Sequence, residues 1–228
     1  VWSLQCTELL EIAKSAALEA GKYIQSSSLN HLTIKSKGDD LSLASSVVTE
    51  VDLKSQDIVL SHITPTLKQY KLGMLSEELK DDSSRFQNEF YWCIDPLDGT
   101  LPFTEQVEGY AVSVALVSCE GVPVLSVIYN PKKNDLYTAL KGEGAYKNGL
   151  PITVKSSKTK FTFITDRSFT KSVDYNSFVL DLKSAVKIKG FNQFEIIAHG
   201  GASMNAIWVL ENAPASYVKP PKKQLGGG

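Results

Sequence analysis

Between residues 71 and 140 five strand-like runs follow one another so closely that most of them have to pair antiparallel. They cover 71–75, 90–94, 111–118, 122–129 and 136–140, with turn signals such as Glu120-Gly121 and Asn130-Pro131 between them. A parallel pair needs a crossover of a dozen or more residues, usually a helix, and most of these gaps are too short for one. Two helices are predicted ahead of the sheet. Leu9, Ile12, Ala13, Ala16, Ala17, Ala20 and Ile24 recur at intervals of three and four over residues 8–24, the pattern of an amphipathic helix. A second helix is predicted from Thr49, with Leu53, Val59, Leu60 and Ile63 inward and Pro65 as its stop. Beyond the turn at Lys147-Asn148-Gly149 the pattern changes to a strand over 161–165, a helix over 174–186 and a helix over 202–211. Helices, an antiparallel sheet and then an alternating unit predict a layered α+β architecture. The expected division is an N-terminal metal-binding α+β domain over 1–147 and a C-terminal α/β domain over 148–228.

Composition narrows the classes of partner. Of 228 residues 43% are hydrophobic and 21% charged, which excludes a largely disordered chain. Lys and Arg total 24 against 25 Asp and Glu, so no global field draws the molecule to a nucleic-acid polymer or an anionic membrane, and any anion has to be captured locally. No apolar run reaches membrane-spanning length. Cys6, Cys93 and Cys119 are odd in number and widely spaced, which argues against a disulfide framework or a structural zinc. A soluble protein of the cytoplasm is the expectation.

The segment richest in chemistry is Trp92-Cys-Ile-Asp95-Pro-Leu-Asp98-Gly-Thr100, where an apolar strand runs into two acids. Pro96 fixes the backbone as it leaves the strand, so Asp95, the Leu97 carbonyl and Asp98 can turn to one point as three hard oxygen ligands, a set that suits magnesium. Gly99 allows close approach, and the amides of Gly99 and Thr100 form an anion site if they open a helix. An Asp-rich turn with an Asx cap explains the same residues without a ligand. Glu77-Glu78 follows the 71–75 run as Asp95 follows its own, which would set acids from two strands at one sheet edge; a solvated turn is the plainer account. Thr49-Glu-Val-Asp52 has the form of a capping box, and Asp52 can also face the acids and, with the Thr100 hydroxyl, take a proton from a metal-bound water. His199-Gly-Gly-Ala-Ser203 is a glycine-rich helix entry, suited to a phosphate or hydroxyl or simply to starting a helix. His31, His62 and His199 are expected to pack or lie at the surface.

These motifs together resemble the magnesium-dependent, lithium-sensitive phosphomonoesterases that include inositol monophosphatase and 3′(2′),5′-bisphosphate nucleotidase. Ser126-Val-Ile-Tyr129-Asn-Pro131, Leu136-Tyr-Thr-Ala139, Lys141-Gly-Glu-Gly-Ala-Tyr146-x-Asn-Gly149 and Gly200-Gly-Ala-Ser203 extend the resemblance along the chain. It implies a layered αβαβα sandwich, a small phosphorylated metabolite as substrate, two or three magnesium ions and, in many members, a homodimer. It further implies Glu77, Asp95, the Leu97 carbonyl and Asp98 as metal ligands, and Asp52 with Thr100 as the pair that orients the attacking water. Phosphate and substrate would be held by Leu97, Asp98, Gly99, Thr100, Gly200, Gly201 and Ala202.

Lys219 falls where inositol monophosphatases carry a Glu that accepts hydrogen bonds from ring hydroxyls. An ammonium group cannot accept them but can attract a second phosphate. The chain is therefore expected to prefer 3′-phosphoadenosine 5′-phosphate to inositol 1-phosphate, with a solvated basic turn of Lys219, Lys222 and Lys223 as the alternative. The family's next motif, a Trp-Asp pair whose Asp binds metal, does not follow, and Gly226 to Gly228 read as a hinge. The molecule is expected to continue past residue 228. A catalytically silent binding or regulatory protein is the rival expectation.

Overall fold

The computed structural model describes residues 2–27, 34–36 and 47–220. The element order is α1 (Trp2–Ser26), β1 (Ile34–Ser36), β2 (Val47–Thr49), α2 (Glu50–Tyr70), β3 (Gly73–Ser76), β4 (Phe90–Asp98), α3 (Thr100–Thr104), β5 (Ala111–Ser118), β6 (Pro123–Asn130), β7 (Asp135–Leu140), β8 (Gly144–Lys147), β9 (Leu150–Pro151), β10 (Lys160–Thr165), α4 (Arg167–Thr170), α5 (Tyr175–Ile188), β11 (Gln193–Ile197), α6 (Ala202–Glu211) and β12 (Ala215–Val218). Strands β3 to β9 form one seven-stranded sheet in sequence order, all antiparallel except the parallel β3–β4 pair. Strands β11-β10-β12 form a second, wholly parallel sheet. The antiparallel order was legible from the short gaps. The strands β11 and β12 were not, while the parallel β3–β4 pair is the arrangement that sets the acids following both strands at one edge.

Layering follows from where apolar side chains go. Leu9, Ala13, Ala16, Ala17, Ala20 and Ile24 of α1 are all buried, together with Val51, Val59 and Ile63 of α2, against Trp92, Val112, Val114 and Val127 of the first sheet. At Gly21 a Cβ would lie 2.3 Å from the Tyr129 ring, so the absence of a side chain lets α1 lie directly on β6. On the other face of that sheet, Met204, Ile207 and Trp208 of α6 pack with Ala111, Tyr137 and Ile164, which sandwiches α6 between the two sheets. Phe163, one residue from Ile164 and on the opposite face of β10, stacks 5.5 Å from Phe178 of α5. The sequence of layers is helix pair, sheet, helix, sheet, helix, the αβαβα sandwich that was expected.

Two expectations for α2 need correction. Leu53 is 40% exposed rather than inward, because the buried face is set by Val51, Asp52, Ser55, Gln56, Val59 and Ile63, and Leu53 lies off that arc. Pro65 does not stop the helix, which runs to Tyr70. The ring lies on the solvent face, where the carbonyl it displaces can turn to water. One residue on, Thr66 is buried, accepts a hydrogen bond from the Trp92 indole (2.9 Å) and donates to the Ile63 carbonyl (2.6 Å), which anchors the last turn to β4. Thr49 precedes α2 immediately, but its side chain lies outside the described residues, as do His31, Lys222, Lys223 and Gly226 to Gly228.

Candidate functional site

Strands β3 and β4 are parallel, so their C-terminal ends lie side by side and carry Glu77 and Asp95 to the same edge of the sheet. The Glu77 amide donates to the Ile94 carbonyl (3.1 Å), which ties the two ends together. From above, α2 braces the same edge: Ser55 donates to the Pro96 carbonyl (2.7 Å), and Gln56 accepts from Ser76 (2.7 Å). Asp52 lies one helical turn before these two, on the same face, and is 3% exposed. The expected acids thus meet, and two buried polar residues that motif reading did not single out, Ser55 and Gln56, together with Ser76 hold the edges that carry them.

Electrostatics at this edge are those of crowded carboxylates. Burial first, then the charges of Asp98 and Glu77, push the Asp95 carboxyl well above the usual carboxylate range; a hydrogen bond with Glu77 adds to this, and the Leu97 amide, 3.2 Å from Oδ1, opposes it. Asp98 is raised too, by burial, against the pull of backbone donors from α6.

Those donors decide the orientation of Asp98. Its Oδ1 accepts from the Ala202 amide (3.0 Å) and its Oδ2 from the Ser203 amide (2.6 Å), so one carboxylate of the first sheet caps the N-terminus of α6. Glycines make the approach possible. A Cβ on Gly201 would lie 2.7 Å from both Asp98 oxygens, one on Gly99 2.7 Å from the Gly109 carbonyl, and one on Gly109 2.8 Å from Gly200. Gly99, at φ +86°, precedes Thr100, which opens the short helix α3 as expected. The Thr100 hydroxyl lies 3.5 Å from the Leu97 carbonyl.

The sequence expectation had Gly200, Gly201 and Ala202 offering amides to a substrate. In the structure the Ala202 amide serves Asp98 and the Gly201 amide donates to the Gly109 carbonyl (2.7 Å). With Asp98 turned to α6, no group of three or more Asp, Glu, His or Cys side chains among the described residues is arranged to hold a metal ion. The donor set fits a hard cation in kind: every member is a carboxylate or carbonyl oxygen, and the charges of Asp98 and Glu77 that add to burial in raising Asp95 are what a divalent ion relieves.

The second sheet supplies a neighbouring cluster. Asp166 follows β10 and accepts from Tyr217 (2.7 Å) and Asn205 (3.2 Å), while Lys219, just past β12, lies 3.9 Å from its other oxygen. No local motif marks Asp166, Asn205 and Tyr217; parallel pairing of β10 with β12 brings Asp166 to Tyr217, and the packing of α6 brings Asn205 to both. The His199 ring packs tilted against Trp208 with ring centroids 4.9 Å apart, and burial lowers its pKa; a surface or packing role was expected of it. His62 pairs with Glu19 on the surface (2.7 Å).

Residues 5–224 match the model of the inositol monophosphatase family. The chain belongs to that family. Similarity to individual proteins agrees. Inositol monophosphatase 3 of Solanum lycopersicum is 32% identical over 151 residues, 65% of this chain and 53% of that one. Nus factor SuhB of Salmonella typhimurium is 30% identical over 212 residues, 82% of this chain and 76% of that one. The solved structure of CysQ from Bacteroides thetaiotaomicron, described as a bacterial member of the inositol monophosphatase family, superposes with a TM-score of 0.68 at 28% identity over 92% of this chain and 79% of that one. This inositol monophosphatase family chain spans about half the length of the first curated relatives it matches. Among its described residues no helix is long and apolar enough to cross a membrane.

Proposed function

We propose that the protein hydrolyses a small phosphate monoester with magnesium as cofactor. The observation that carries this is the meeting of Glu77, Asp95 and Asp98 at the ends of β3 and β4, opposite the N-terminus of α6, in a chain of this family. Glu77, Asp95, the Leu97 carbonyl and Asp98 would hold the metal. Bound magnesium lowers the pKa of a coordinated water and neutralises phosphate oxygens. Asp52 and Thr100 would orient the attacking water and take its proton, and the Gly99 and Thr100 amides would hold the phosphate. Gly200, Gly201 and Ala202 would receive the rest of the substrate, the Ala202 amide only where Asp98 releases it. A homodimer in the cytoplasm completes the proposal.

For the substrate we favour 3′-phosphoadenosine 5′-phosphate over inositol 1-phosphate, because the exposed Lys219 ammonium beside the cluster attracts a second phosphate. Phosphate release by the full-length protein, with and without magnesium, tests both levels. Turnover of either ester that requires magnesium, and is inhibited by lithium in competition with it, is expected; no release from any monoester sinks the enzyme. A higher kcat/KM for the bisphosphate, reduced by Lys219→Ala, is expected, and the opposite ranking overturns the substrate choice alone. A binding or regulatory protein on this fold is the second reading, favoured by the engagement of both Asp98 oxygens with α6.

A further inference from the structure

Asp166 is held as a hydrogen-bond acceptor beside the candidate site and has no part in the roles assigned so far. The chain reaches it at the C-terminal end of β10, where ligands of parallel sheets are bound, next to the end of β12 and the start of α6. Only one of its oxygens is used. Oδ1 accepts from the Tyr217 hydroxyl (2.7 Å) and the Asn205 amide (3.2 Å). Asn205 is 0% exposed, and its Nδ2 also donates to the Gly200 carbonyl (3.1 Å), so one buried amide fixes Asp166 relative to the glycine entry of α6. Tyr217 is kept a donor: burial first, then its hydrogen bond to Asp166, raise its pKa, and the charge of Asp98 adds to the effect.

Oδ2 is the oxygen left over. It makes no hydrogen bond among the described residues; Lys219 Nζ stands 3.9 Å away, beyond hydrogen-bond distance, and the carboxylate side chain is 18% exposed. A locked carboxylate with one open oxygen accepts from a hydroxyl, and an ammonium beside it takes an anionic oxygen. We propose that Asp166 is a specificity-determining residue: its Oδ2 accepts a hydrogen bond from a sugar or polyol hydroxyl of the substrate, while Lys219 takes the charge of a further phosphate. The pair selects esters that carry both features. The proposal rests on the phosphatase function above.

The test compares kcat/KM within two pairs of esters for the full-length, magnesium-loaded protein. One pair is 3′-phosphoadenosine 5′-phosphate and its 2′-deoxy counterpart; the other is myo-inositol 1-phosphate and cyclohexyl phosphate. A charge-assisted hydrogen bond discriminates by roughly 10-fold or more, so the wild type is expected to favour the hydroxylated member of at least one pair by that factor. Asp166→Asn keeps the side chain's size and should bring the ratio toward one, with the change in the KM of the hydroxylated ester. Tyr217→Phe removes one of the two donors to Oδ1 but leaves the carboxylate and its Asn205 anchor, and should keep the preference. Equal losses on both members in Asp166→Asn, or a wild type with no preference in either pair, overturn the assignment while leaving the phosphatase intact. No turnover of any ester by the wild type overturns the phosphatase and the assignment with it.

Discussion

Asp95 is a buried carboxyl crowded by two others, and the sign of that crowding can be read in stability before any chemistry is assayed. Its carboxyl is raised by burial and by Asp98 and Glu77, so the folded state keeps a proton that the unfolded chain releases near the ordinary carboxylate value. The stability this contributes is present in acid and is lost as pH rises through the raised value. In chelator this contribution should therefore diminish as pH rises above about 4 and be gone once pH has passed the raised value. Asp95→Asn removes the charge at constant size; its unfolding midpoint in urea with chelator should depend less on pH and exceed that of the wild type at neutral pH. Its phosphate release should fall by at least about 100-fold, the upper end of losses seen for residues that only support a ligand. An unchanged pH slope in the variant would place the strain on another group. The acids were legible in the sequence because Asp95-Pro-Leu-Asp98-Gly99 is a local pattern whose proline and glycine dictate the turn. Asp166, Asn205 and Tyr217 were not, since what joins them is strand pairing across 51 residues.

At the scale of elements, local signals fail where tertiary packing outweighs them. Pro65 reads as a stop, yet the buried Thr66 and its bond from Trp92 hold the turn that follows. The proline is then a cost the packing carries. Pro65→Ala restores a helical N–H on an exposed face and should raise stability by about 1 to 3 kcal/mol in urea unfolding; a fall would show that the ring itself is needed. The junction of α6 with β4 behaves in the opposite way, because it depends on a missing side chain. In Gly201→Ala the new methyl would lie 2.7 Å from both Asp98 oxygens and the Gly99 nitrogen, so α6 has to move away from the strand. A loss of about 1 to 3 kcal/mol is expected, along with the two amide bonds to Asp98, visible as faster hydrogen exchange at Ala202 and Ser203. Wild-type protection there would mean that the entry can shift without cost. The same dependence on partners hid β11, whose residues are mostly exposed along a sheet edge, and β12, which is only four residues long.

The whole molecule places two sheets of different logic around one helix: a locally connected antiparallel sheet that brings acids to an edge, and a parallel sheet whose strand ends supply Asp166 and Lys219. Polar links fasten the halves. Arg167 grips Glu105 with two contacts of 2.6 and 2.5 Å, and Glu211 of α6 accepts from Tyr137 (2.6 Å) and Lys147 (2.7 Å) of the first sheet. This assembly holds the acids together and unfolding scatters them, so a divalent cation taken up at the proposed site would bind the folded state preferentially and is expected to raise its stability. At 100 times its Kd the gain is about 2.7 kcal/mol, or roughly 5 to 10 °C in Tm for a chain of this size. Protons compete for the same oxygens, since Asp95 and Asp98 both bind them more tightly than ordinary carboxylates. Magnesium should therefore raise Tm more at pH 8 than at pH 5, and the increment should shrink in Asp95→Asn at either pH. Differential scanning calorimetry over a magnesium series, with sodium chloride at matched ionic strength as control, reads this directly. An equal shift from sodium, or a magnesium shift larger at pH 5 than at pH 8, would mean that the cation acts on surface charge and that these acids do not form its site.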